Sequence, residues 1–326
     1  MAFLLYSFLR KSLIFRPLAL VSFITMASLL AVSMGYCANR LLASILSGSS
    51  QATDIVMNRS TLLEDYPAKI LSEPPLPDST SMARIKERGI LRAGLRKDSP
   101  PYVYRNAKRE LVGHDVDLLK AFARSLGVQL ELIEGDYREL IRWLGETRID
   151  CAAGGLVSSG LRSDGYLAPV TYAKASFAVV VPDTKIGDFQ NRLSSGSGAP
   201  LKIAMAPPES SSNELRSTII DRYSPSKQGT RTVFQPVRSY EEFASPDSHA
   251  DAMLTTAEAG SAFAVIHPLF TMLPIFGKSL TADMVLLFDG KDYALPAYAQ
   301  NWVMEGQNLD LLEHLEKHWI LFKNSK

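Results

Sequence analysis

The chain has 326 residues, 35 Lys and Arg against 34 Asp and Glu, and a formal net charge of +1. That near-balance excludes a nucleic-acid binder held by phosphate contacts, which needs a basic surface. Hydrophobic residues make up 46%, ordinary for a globular chain, but they are unevenly spread. Cys37 lies in an apolar N-terminal run and Cys151 in a predicted core strand, so the two cysteines are not expected to pair. None of the five histidines has an HExxH or paired-cysteine context. His314 and His318 share helical i,i+4 spacing and read as one face of a terminal helix. Neither a metal nor a cofactor is expected.

Residues 17–39 carry no charge across about 23 positions, enough for one helix to span a bilayer. Arg10, Lys11 and Arg16 precede the run and only Arg40 closely follows it. The positive-inside rule therefore places residues 1–16 in the cytoplasm or at its interface, and the rest outside. A cleaved secretory signal is the rival reading. The run is long for a signal core, and Tyr36 spoils both a small-x-small cleavage site and a lipoprotein box at Cys37. The sequence thus predicts an uncleaved, single-pass inner-membrane anchor with a periplasmic C-terminal domain. Residues 40–81 read as a stalk. Ser47-Gly-Ser-Ser50 and Glu73-Pro-Pro-Leu-Pro77 are linker chemistry, with a modest helix around Ile55 to Tyr66 between them.

From residue 82 onward strands and helices alternate, which predicts an α/β domain with a mostly parallel sheet. A short helix over Met82–Arg88 stops at Gly89, and Ile90–Leu95 alternates as a strand. The loop Asp98-Ser-Pro-Pro-Tyr-Val-Tyr104 follows. Val116, Leu119, Phe122, Ala123 and Leu126 mark the buried face of a helix, with Asp115 and Asp117 at its positive end and Gly127 at its stop. Val128–Leu132 is a strand, and Asp136-Tyr-Arg-Glu139 opens the next helix in capping-box fashion. Further on, Ala175–Val181, Leu201–Met205, Asp251–Leu254 and Met284–Phe288 read as strands. Residues 188–200 read as a Ser/Gly-rich surface loop, and Leu309–Trp319 as an amphipathic terminal helix.

One stretch organises the domain. Ile149–Ala153 is a short buried strand, Gly154 and Gly155 permit close backbone approach, Ser158, Ser159 and Gly160 form a polar turn, and Arg162 follows at a helix start. An open α/β sheet presents a small anion site in this way, at the carboxyl end of a strand. A guanidinium suits a carboxylate because its fork donates two parallel hydrogen bonds. On spacing alone, a tight turn with a solvated arginine fits equally well.

Gly113-His-Asp-Val-Asp-Leu-Leu-Lys-Ala-Phe-Ala resembles the Gly-aromatic-Asp-x-Asp-Leu signature of amino-acid-type extracytoplasmic solute-binding proteins. Ile149-Asp150, the double glycine, Arg162 and Ala168-Pro-Val-Thr-Tyr172 resemble a second run of that family. The resemblance covers about residue 84 to the C-terminus. Arg84-Ile-Lys-Glu-Arg-Gly-Ile-Leu-Arg92 and the His318-Trp-Ile320 ending look like a narrower branch, in which the binding domain sits behind a cation-coupled dicarboxylate or amino-acid symporter. The resemblance implies a type II periplasmic-binding-protein-like fold with two hinge crossovers. Lobe one would be residues 82–182 plus 285–326, and lobe two residues 183–284. It implies a ligand carboxylate on Arg162, helped by the Gly155 amide and Ser159, with Tyr102 and Tyr137 as walls. Asp98, and Ser210, Thr256 and Glu258 of lobe two, complete the candidate set. A permease or symporter is the implied partner.

Several positions depart from the family pattern, among them Phe122, larger than usual, and Pro207-Pro208 in place of a glycine turn. His114 replaces the signature aromatic, Val157 stands where a hydroxyl donor is common, and Thr256 replaces the aspartate that holds a ligand ammonium. Glu258 could take that last duty; otherwise the ligand lacks an ammonium, as a dicarboxylate does. Three functions remain open at this level. They are a binding protein for an amino acid or small carboxylate, a dehydratase of a cyclic carboxylic acid with Glu258 as acid or base, and a sensory or assembly module with a degenerate cleft.

Overall fold

A computed structural model describes residues 53–78, 82–158, 167–195, 198–206, 232–274 and 281–320. The chain divides at Asp54, and both of its large sheets belong to the body Ile55–Lys326. The predicted anchor over residues 17–39 lies outside the described residues. Among the described residues no helix is long and apolar enough to cross a membrane.

The first sheet is built from β1 (Ala68–Leu71), β2 (Ile90–Arg96), β5 (Gln129–Gly135), β6 (Cys151–Ala153), β7 (Leu167–Pro182) and β12 (Thr281–Asp289). Their order is β1-β5-β2-β6-β12-β7, the first four strands running parallel. Helix α1 (Met82–Arg88) leads into β2, α2 (His114–Leu126) joins a two-residue hairpin, β3 (Tyr104–Arg105) and β4 (Leu111–Val112), to β5, and α3 (Tyr137–Gly145) joins β5 to β6. These right-sized crossovers are what a parallel sheet demands. Within α2, Leu118, Leu119 and Phe122 are completely buried, each contributing about 1.5–3 kcal/mol of transfer free energy. Asp150, just before β6, is buried and accepts hydrogen bonds from the Arg88 guanidinium and from Arg92 N–H at 2.7 Å. Burial pushes its carboxyl up, and Arg88 opposes that shift.

The second sheet holds β8 (Leu201–Met205), β9 (Thr232–Pro236) and β10 (Ala252–Thr256) in parallel, with β10 and β11 (Phe270–Pro274) antiparallel to β7. Helices α4 (Ile186–Ser195), α5 (Tyr240–Ala244) and α6 (Ala257–Ile266) accompany it. Strand β7 therefore serves both sheets. Residues Leu167–Ser176 pair with β12, and Phe177–Pro182 pair with β10 and β11. Two long strands, β7 and β12, thus carry the chain between lobes, and the switch falls between Ser176 and Phe177. Helices α7 (Ala294–Met304) and α8 (Gly306–Trp319) return to the first lobe. There the ring of Trp302 packs on Phe122 at 5.2 Å, and Trp319 Nε1 donates to Asp117 at 3.0 Å.

Two expectations need correction. The stretch read as a stalk is partly domain. Val56 is buried, Tyr104 Oη donates to its carbonyl at 2.8 Å, Leu62 N donates to Asp117 at 2.9 Å, and β1 extends the first sheet beside β5. Even Pro75 receives a bond from Arg148 at 2.7 Å. Its Pro-rich, weakly periodic sequence reads as linker because the contacts that hold it to the domain are made with residues distant in sequence. The stretch read as a Ser/Gly-rich loop begins with α4, which Phe189 anchors in the core. Arg192 holds that helix by pairing with Asp188 one turn back at 2.7 Å and with Asp251 at 2.9 Å.

Candidate functional site: a crevice between lobes and a cavity at the hinge

The carboxyl end of β2 delivers Arg96 to a crevice between the two lobes. The residue is buried, and its guanidinium lies 5.8 Å from the ring of Tyr240, a cation–π distance. The loop that follows presents Asp98 and Ser99, and Ser99 Oγ donates to the Arg96 and Gly154 carbonyls at 3.0 and 3.1 Å. The start of α3 presents Asp136 and Tyr137. Asp136 accepts from Glu139 N at 2.9 Å while Glu139 accepts from Asp136 N at 2.8 Å, so the capping box fixes this corner. Lobe two contributes Ala206 and Arg238 through Tyr240 to the same crevice. Two guanidiniums, the Lys97 ammonium, two carboxylates and two phenol rings thus surround one small space. That set complements a zwitterion, which needs a cation, an anion and flat walls.

The double glycine is used differently from the sequence expectation. Gly154 and Gly155 have φ of 112° and 67°, and a Cβ on either would stand 2.6 Å from Arg96 N or 2.4 Å from the Tyr102 ring. Their two amides both donate to Asp115 Oδ2 at 2.8 Å. Tyr172 Oη donates to Asp115 Oδ1 at 2.9 Å, and His114 Nδ1 lies 2.8 Å from the same oxygen. A carboxylate of the protein itself therefore fills the anion seat that the glycines form, and the Gly155 amide is engaged there. Asp115 is completely buried, so these partners are what make its burial tolerable.

Three other candidates meet at the hinge. Tyr102 packs on Gly155, and its hydroxyl faces Thr256 and Glu258 at the start of α6. Burial pushes the Tyr102 phenol well above its ordinary range, and the charge of Glu258 adds to that. Thr256 caps α6, accepting from Ala259 N at 3.2 Å. Tyr102 and Glu258 line a cavity of about 260 Å³, together with His114 and Tyr172. Burial also pushes the Tyr172 phenol well up, with the Asp115 charge adding to it. The candidate set thus divides in two. Asp98 and Tyr137 border the crevice, while Tyr102 and Glu258 border the hinge cavity, with Thr256 beside them. Arg162, Ser159 and Ser210 lie outside the described residues. Arg96 and Tyr240 escaped the sequence reading. The available signal for Arg96 was its place as the last strand residue before a proline-fixed loop.

The family model for bacterial extracellular solute-binding proteins, family 3, matches residues 91–321. The cyclohexadienyl dehydratase of Pseudomonas aeruginosa is 23% identical over 241 residues, 74% of this chain and 86% of that protein. The arginine-binding protein ArgT of Corynebacterium glutamicum is 23% identical over 94 residues, 28% of this chain and 31% of ArgT. Among solved structures, the ancestral amino acid-binding protein AncCDT-1, a precursor of cyclohexadienyl dehydratase, aligns with a TM-score of 0.59 at 19% identity. The alignment covers 73% of this chain and 99% of that one. The amino acid ABC transporter substrate-binding protein AbpA of Streptococcus pneumoniae, bound to L-arginine, aligns with a TM-score of 0.57 at 20% identity, again covering 73% and 99%. At these identities the likeness speaks for the two-lobed fold. The family match spans well over half the chain, and this protein belongs to the family-3 bacterial extracellular solute-binding proteins.

Proposed function

We propose that the protein captures an amino acid or a small carboxylate in the crevice between its lobes and presents it to a membrane permease. The observation that carries this reading is the convergence on one crevice of Arg96, Asp98 and Tyr137 from lobe one with Arg238 and Tyr240 from lobe two. Arg96 meets the ligand carboxylate, Asp98 and Asp136 offer the anion for an ammonium, and the two tyrosines wall the remainder. The amino-acid binders among its relatives support the ligand class, and the ABC transporter association of AbpA supports a permease partner. Residues 17–39 anchor the protein in the inner membrane with this domain in the periplasm. Mass spectrometry of the mature N-terminus checks that part, since a start near Asn39 contradicts it.

A dehydratase acting on a cyclic carboxylic acid is the second reading, favoured by the Pseudomonas relative. Glu258, its acid–base candidate, borders the hinge cavity, whereas the crevice carboxylates are Asp98 and Asp136. Calorimetric titration of the full chain with arginine, other amino acids and dicarboxylates, alongside a turnover assay on cyclic hydroxy acids, separates the two. Saturable binding with no consumption of ligand is expected, and Tyr137→Ala is expected to weaken it about tenfold or more. Steady conversion of a cyclic hydroxy acid, with no saturable amino-acid or dicarboxylate binding, would favour the enzyme.

A further inference from the structure

Lobe two brings a cation to the crevice and, among its described residues there, no carboxylate. Its lining residues are Ala206, Arg238, Ser239 and Tyr240. Backbone contacts on both sides fix position 238. Val237 N donates to Met205 O at 3.0 Å, Arg238 N donates to the Glu242 carboxylate at 2.7 Å, and Ser239 Oγ accepts from Glu242 N at 3.3 Å. These bonds tie the end of β9 to the end of β8 and to the start of α5, and so hold residue 238 at the crevice. The Arg238 side chain is exposed and, among the described residues, enters no ion pair.

Lobe one contributes balanced charge. Arg96 ends β2, Lys97 and Asp98 open the loop after it, and Asp136 caps α3. Two cations there stand with two carboxylates, and one of these, Asp136, already accepts from Glu139 N at 2.9 Å. Arg238 adds one positive charge, so the described lining carries three cations against two carboxylates. Its complement is a ligand with one net negative charge. An acidic amino acid has that charge at neutral pH, as two carboxylates and one ammonium. A neutral amino acid brings no anion to Arg238, and a basic one sets its side-chain cation against that guanidinium. Lobe closure sharpens the selection. A ligand draws the lobes together only through contacts made better in the closed state, and the charge that lobe two offers is positive.

We propose that Arg238 is a specificity residue that selects an acidic amino acid, an inference that rests on the capture reading above. Arg96 meets the α-carboxylate, Asp98 the ammonium and Arg238 the side-chain carboxylate. The full chain is titrated by calorimetry with glutamate and aspartate and with their neutral isosteres glutamine and asparagine. Glutarate, which lacks the ammonium, and arginine, whose side chain is cationic, complete the series. The tighter of the two acidic amino acids is expected to bind about tenfold or more tightly than its isostere, glutarate or arginine. Arg238→Gln should weaken that acidic amino acid about tenfold or more and leave its isostere within about twofold. Arg238→Lys keeps a charge and should recover part of the loss. Wild-type binding of an isostere, glutarate or arginine as tight as that of the acidic pair would overturn the inference and leave ligand capture standing. Equal loss of acid and isostere in Arg238→Gln would do the same. Absence of saturable binding by every amino acid and dicarboxylate tried would remove the capture reading, and this inference with it.

Discussion

Asp115→Ala is expected to lower the stability of the domain by roughly 3–5 kcal/mol, the typical cost of removing one member of a buried charged network. The side chain is completely buried and accepts from the amides of Gly154 and Gly155, from Tyr172 Oη and from the His114 imidazole. Truncation leaves four buried donors without an acceptor, each costing about 1–3 kcal/mol unless water reaches it. Water admitted into the new space offsets part of that sum, which places the net near the middle of the range. A domain of this kind has only about 5–15 kcal/mol in hand, so the variant should unfold at much lower denaturant. Urea unfolding followed by circular dichroism measures the difference. Asp65→Ala is the control, because Asp65 is exposed and pairs with Arg124 at 2.7 Å, an arrangement worth about 1 kcal/mol at most. A loss at Asp115 no larger than at Asp65 would show that the double-glycine turn does not depend on that carboxylate.

Gly113→Ala should do still more damage, because its obstacle is backbone. Residue 113 has φ 138°, and a Cβ there would stand 2.2 Å from the carbonyl oxygen of Tyr102 and 2.5 Å from its carbon. The close approach is built in. His114 N donates to Pro101 O at 3.1 Å and Asp115 N to Tyr102 O at 3.0 Å, so the start of α2 is clamped to the loop that carries Tyr102. Relief requires separating the two segments, and a loss above about 4 kcal/mol is expected, in the range reserved for such steric faults. Gly127→Ala makes the comparison informative. Gly127 also has positive φ, at 69°, but nothing lies within 4 Å of the added Cβ. Only the left-handed backbone penalty of about 1–2 kcal/mol applies there. Thermal unfolding of both variants checks the ranking, and equal losses would contradict the steric account.

The sequence made the parallel half of the first sheet legible because each element there carries its own local signal. Helix α2 shows its apolar stripe, Asp136 and Glu139 form the capping box that their spacing announces, and β2 and β5 alternate. Strands β9 and β11 lacked such signals, being partly exposed and lying next to segments rich in Pro, Ser and Gly. The N-terminal segment 55–71 was misread for a related reason. Its order comes from Asp117, Tyr104 and β5, all far away in sequence. At the site, Tyr137 and Asp98 were candidates through the family resemblance, and the structure sets both at the border of the crevice. The role of Asp115 could not be read, since its position at a helix start already accounts for an acidic residue. Only folding brings the amides of residues 154 and 155, some forty positions on, to its second oxygen.

Capture of a ligand in the crevice, as proposed, requires the two lobes to approach one another around it, and a distance measurement tests that most directly. Spin labels on Arg138→Cys in lobe one and Glu241→Cys in lobe two, in a Cys37→Ser background, report the separation across the crevice. Burial pushes the Cys151 thiol well above its ordinary range, so it should not compete for label. A saturating amino acid or dicarboxylate that binds calorimetrically should shorten the distance in otherwise native protein, with no shortening once Tyr137→Ala is added at the same ligand concentration. An unchanged distance in the presence of demonstrated binding would contradict closure around the crevice.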